Sequence, residues 1–205
     1  MTIEMKPLVQ PVPVADLRPT QMTVGFREVA LKRQELRALS GKKAGTFLSH
    51  HFIPAVLGPK KRYHIVDHHH LARAFHEEGI KEVLITVISD LSALDKEPFL
   101  VFMDNHAWLH TFDAKGRRRD YSDLPKSVKD LTDDPYRSLA GEVRRQGGYA
   151  KNAVPFSEFM WADYFRHRIS TGKVGDDFDK ALVEAMKFAR DKEANYLPGW
   201  CGPQD

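Results

Sequence analysis

The chain has one cysteine in 205 residues, Cys201 near its end, which excludes an internal disulfide and suits a reducing compartment. No stretch approaches the roughly 20 apolar residues that a membrane span requires. The first thirteen residues carry Glu4 and three prolines where a secretory leader would carry an apolar run. The expectation is a cytoplasmic protein without a membrane partner. A large excess of charge of one sign is also missing. A net charge of +3 permits contact with nucleic acid or phosphorylated ligands but does not require it. Internal repeats and low-complexity linkers are missing, which leaves no sign of a repeat array or of loosely tethered modules.

The apolar pattern that is present describes a mixed α/β unit followed by helices. Val12-Pro13-Val14 with Leu17 reads as a first short strand, and Arg18-Pro19-Thr20 as a turn. Between Arg27 and Leu39 the apolar residues fall at helical spacing, with charges on the opposite face, and a basic loop from Gly41 to Gly45 follows. Phe52–Leu57 reads as a strand, Gly58-Pro59 as a turn and 62–66 as its hairpin partner. A helix over 68–78 ends at Gly79, and the β-branched run Val83–Ile88 reads as a buried strand. Beyond it the spacing predicts helices over 96–112, 128–131, 136–145, 156–169 and 178–195. The fold class is therefore α/β with a mixed sheet, a core over 1–92 and a helical extension over 93–205 packed on it.

Chemistry concentrates in Tyr63-His64-Ile65-Val66-Asp67-His68-His69-His70-Leu71-Ala72. This is a strand turning directly into a helix, with Asp67 placed to cap it and three imidazoles in the first turn. A helix start presents unpaired N–H groups at the positive end of its dipole, where phosphate binds readily. Imidazoles add groups that donate, accept or carry a proton near neutral pH. Three consecutive helical residues point about 100° apart, so at most two of the histidines face one cleft.

The run Val14-Ala15-Asp16-Leu17-Arg18-Pro19, the following helix, Ile53–Leu57 and the turn at 63–75 together resemble the ParB/sulfiredoxin superfamily, and within it the ParB-like putative nuclease group, over residues 12–92. The turn is most similar to the Asp-Gly-His-His-Arg form found in the free-serine kinases of that superfamily. Asp67, His69 and His70 match its acid and histidines, His68 stands at the glycine, and Leu71 at the arginine. No cysteine lies in the turn, which excludes sulfiredoxin chemistry, and no helix-turn-helix follows residue 92 to read DNA sequence. The resemblance implies phosphoryl chemistry, either transfer to a small hydroxyl acceptor or phosphodiester hydrolysis. It also implies a nucleotide (ATP, ADP or CTP) with Mg²⁺. On this basis phosphate contacts fall to His68, His69, His70 and Arg18. Asp67 would position a divalent ion or a hydroxyl, His69 would act as acid/base, and Glu28 matches by position an early glutamate that serves as general base.

Other readings stand beside this one. A nucleotide- or DNA-binding module would use the same turn without turnover. A metal-dependent hydrolase would add His106 and His110, spaced i, i+4 in the helix predicted over 96–112, with His50-His51 further upstream. The loop Gly147–Lys151, preceded by Arg144 and Arg145, offers close backbone approach and positive charge to a phosphate. The aromatic run Phe156–Phe165 offers stacking to bases, with core packing as the plainer use.

Overall fold

The computed structural model describes residues 8–39, 47 and 51–203, so the loop expected at 41–45 and His50 lie outside the described residues. The structure is mixed α/β. Its strands are Leu8–Pro13 (β1), Arg18–Pro19 (β2), Thr23–Val24 (β3), Ile53–Gly58 (β4), Arg62–Ile65 (β5), Glu82–Asp90 (β6) and Thr132–Asp133 (β7). Its α-helices are Phe26–Ala38 (α1), His69–Glu77 (α2), Lys96–Asn105 (α3), Pro135–Arg145 (α4), Ser157–Arg166 (α5), Thr171–Asp176 (α6) and Phe178–Arg190 (α7). Two compact units result. The first draws on segments 1–22, 29–111 and 119–132, the second on 23–28, 112–118 and 133–205. The first unit thus runs past residue 92, where the sequence places the end of the core.

In the first unit five strands form one sheet in the order β1-β6-β4-β5-β2. β1 and β6 are antiparallel, β6 and β4 parallel, β4 and β5 antiparallel, β5 and β2 parallel. Alternation along β6 buries Val83 and Ile85 while Glu82 faces water, as expected for a strand with one covered face. α2 buries Leu71, Ala72 and Phe75, a helical i, i+1, i+4 face. Phe75 is fully enclosed, worth about 2 kcal/mol of transfer free energy. Gly79 ends α2 in the left-handed conformation at φ +70°, which a β-carbon would penalise. A second cluster of Val56, Phe99, Leu100, Met103 and Leu109 anchors α3.

α3 stops earlier than its apolar pattern predicts. His106 is its C-cap, Ala107 turns left-handed at φ +52°, and the chain runs on extended so that the His110 N–H reaches the Thr20 carbonyl at 2.8 Å. The helix expected to reach Phe112 therefore ends at Asn105, because burying Leu109 and pairing His110 outweigh local periodicity. The segment Arg18–Thr20, read as a turn, supplies the edge strand β2.

The second unit is helical, with a core of Trp161 stacked on Tyr149 at 4.3 Å and joined by Phe165, Leu139 and Val143. Asp134 caps α4 by accepting from the Tyr136 and Arg137 N–H groups, with Pro135 at the first helical position. The aromatic run of α5 is thus core: Trp161 and Phe165 are fully buried.

Candidate functional site

The strand-to-helix turn differs from its expected geometry in one respect. Asp67 is not the cap of α2; His68 holds that position, in the left-handed region at φ +63°, and no side chain caps the helix. That conformation favours glycine, the residue the kinase-like motif carries there. Asp67 is 77% exposed and its Oδ1 accepts from the His68 N–H at 2.6 Å. His69 is buried, with its Nε2 accepting from the Thr20 N–H at 3.1 Å. Burial lowers its pKa to about 3, and charge on His70, His68 and His110 would push the same way, so the ring stays neutral. Leu71, where the motif's arginine would stand, is buried in the core.

A cavity of about 450 Å³ opens within the same unit. Five cations line it: Arg18 of β2, Lys60 from the β4–β5 connection, Arg62 at the start of β5, Lys96 at the start of α3, and Lys126. Among the described lining residues there is no carboxylate. Like charges gathered around one space raise its potential and favour an anion. The Nε of Arg18 is shut off from solvent and has no hydrogen-bond partner among the described residues, a cost that a bound acceptor would relieve. Between Pro59 and Arg62 the chain is strained. Lys60 and Lys61 both sit left-handed, at φ +58° and +53°, each costing roughly 1–2 kcal/mol.

An apolar wall also lines the cavity, built from Phe99, Leu100, Tyr121 and Leu124 together with Pro19, Pro59 and Pro125. The His64 ring lies 4.7 Å from that of Phe99, and burial, aided by Arg62, lowers its pKa to about 4. Gly58 makes this packing possible, since a β-carbon there would lie 2.8 Å from both the His64 Cδ2 and the Phe99 Cζ. Tyr121 is fixed by a 2.6 Å hydrogen bond from its hydroxyl to Asp104.

A family model described as "Putative ParB-like nuclease" matches residues 10–167. The chain belongs to this family. It is also similar to a solved structure, the crystal structure of protein Atu1540 from Agrobacterium tumefaciens. The two are 48% identical over 98% of this chain and 100% of that one, with a TM-score of 0.92. No curated protein matches the chain. Family membership points to a nucleic-acid or phosphoryl-related role and no further.

Within this ParB-like chain the expected site residues fall into three places. Arg18 lines the cavity, whereas Asp67, His68, His69 and His70 do not. Glu28 lies in the second unit, its Oε2 3.1 Å from Arg137 Nη1. His106 and His110 do not share a helix face, because α3 ends at Asn105, before both. His106 stacks on Phe102 at 4.0 Å, and among the described residues no group of three or more His, Cys, Asp or Glu could hold a metal. Arg144 and Arg145, beside the 147–151 loop, pair with Glu158 and Glu142. Lys60 and Arg62 stand out in the sequence as a basic cluster, but Lys96, Lys126 and the apolar wall carry no sequence signal. The Mg²⁺ implied by the resemblance needs oxygen ligands. The cavity's cations and apolar groups do not fit an ion held by the protein there.

Among the described residues no helix is long and apolar enough to cross a membrane.

Proposed function

We propose that this ParB-like protein is an enzyme of phosphoryl chemistry that takes a phosphate ester into the basic cavity, with phosphodiester hydrolysis as its reaction class. The observation carrying the reading is the set of five cations around a cavity whose described lining residues include no carboxylate. Charge-assisted hydrogen bonds from Arg18 and Arg62 suit phosphate oxygens, and the lysines add point charge. The apolar wall suits a ligand that also carries an uncharged ring, as a nucleotide does.

Turnover of a dinucleotide and of a single-stranded oligonucleotide, assayed with Mg²⁺, tests this. The wild-type protein should hydrolyse one of them, and Lys60→Ala/Arg62→Ala should raise KM. Binding without turnover would leave a non-catalytic module. A protein that binds neither ligand would sink the reading.

A further inference from the structure

We infer that His69 is a positioning residue for the anion cavity: its ring nitrogen holds Thr20 and thereby fixes Arg18 two residues upstream. The inference rests on the phosphate-site reading above. β2 has two residues and lies at the sheet edge, pairing with β5 through Arg18↔His64 and Pro19↔Ile65. So short an edge strand has few ladder bonds to hold it.

Thr20, the next residue, provides the remaining hold with every polar group it has. Its N–H donates to His69 Nε2 at 3.1 Å, its hydroxyl to the Ile65 carbonyl at 2.8 Å, and its carbonyl accepts from the His110 N–H at 2.8 Å. The first of these bonds sets the tautomer, because a nitrogen that accepts from an N–H carries no proton. Nδ1 therefore bears the ring's only hydrogen. His69 is 4% exposed and sits at the first position of α2, so the helix carries the strut and the core encloses it. A ring enclosed this way, and already engaged as an acceptor, does not meet a ligand in the cavity. It acts through Thr20 on the one cavity cation whose buried Nε has no partner among the described residues.

The test is a double-mutant cycle on the full chain, with inorganic pyrophosphate as the probe in isothermal titration. Arg18→Ala and His69→Ala should each weaken binding by about tenfold or more, the scale of a lost hydrogen bond to a charged group. The double variant should bind no more weakly than the worse single one, because His69 has nothing left to position once Arg18 is gone. His69→Gln, whose amide oxygen accepts from the Thr20 N–H, should recover most of the affinity. A purely structural histidine would lower the melting temperature of His69→Ala without this coupling. Additive losses, or wild-type affinity in His69→Ala, would overturn the proposal. If His69→Ala does not fold, His69→Leu, which fills the buried space but cannot accept from the Thr20 N–H, takes its place in the cycle with the same non-additivity expected. Wild-type protein that fails to bind pyrophosphate, or Arg18→Ala that binds it unchanged, would instead remove the anion site itself and the proposal with it.

Discussion

In the first unit Arg18, Lys60, Arg62, Lys96 and Lys126 surround one space with no carboxylate among its described lining residues. In the second, Arg137 meets Glu28 and Glu158, Arg144 meets Glu158 at 2.6 Å, and Arg166 meets Asp134 at 2.6 Å and Asp163 at 2.7 Å. Hydrogen-bond saturation does not separate the two sets, since Arg137 and Arg166 also leave a buried Nε unpartnered. The carboxylates do. A guanidinium neutralised by acids within its own unit is spent on architecture, whereas cations collected without acids have their charge available to an anion.

The sharpest way to break that contrast is to remove a paired cation. Arg137→Met leaves Glu28 and Glu158 partly buried without their shared partner. It should cost about 3–5 kcal/mol in urea unfolding, the usual range for breaking a buried pair. Pyrophosphate affinity should not change. The reciprocal experiment, Lys60→Ala/Arg62→Ala, should weaken anion binding by about 10- to 100-fold while unfolding free energy stays within about 1 kcal/mol. If that variant lost stability and kept its affinity, the two sets of cations would have been assigned the wrong way round.

Gly58→Ala probes the cavity wall without touching charge. Its β-carbon would force His64 and Phe99 apart, and the expected cost is about 1–3 kcal/mol by thermal melting, with weakened ligand binding.

Acid provides a graded test. His69 and His64 have folded pKa values lowered to about 3 and about 4, against about 6.5 in an unfolded chain. Between those limits the unfolded chain takes up protons that the folded protein refuses. Stability should therefore be full above pH 6.5 and fall as pH drops toward 4, by about 1.4 kcal/mol per pH unit for each ring. Urea titrations at pH 7, 6 and 5 measure the slope, and His69→Gln should reduce it.

The smallest effect is expected at Lys61, which is left-handed but does not line the cavity. Lys61→Gly should stabilise by up to about 1 kcal/mol, relief of the positive φ being partly offset by the entropy of glycine.

The central elements of the first unit were legible in sequence because local forces define them. β-Branched residues and alternation mark β6, the spacing of Leu71, Ala72 and Phe75 marks α2, and Gly79 marks its end. The turn motif and its upstream strands were enough to suggest the family to which the chain belongs. The α3 helix was overextended because no local signal places a stop at Asn105; burial of Leu109 and the Thr20–His110 hydrogen bond decide it from outside.

The cavity follows the same logic at larger scale. Arg18, the 59–64 segment, the start of α3 and the 121–126 segment are separated by up to 108 positions, from 18 to 126, and no periodicity in the sequence relates them. Residue types and short spacings determined that there would be a strand-to-helix turn with an acid and three imidazoles. Only the tertiary structure determined that His69 is enclosed and neutral, that Glu28 meets an arginine, and that five cations share one space without an acid. Burial and charge neutralisation depend on which distant segments meet, and the local chain does not encode those meetings one residue at a time.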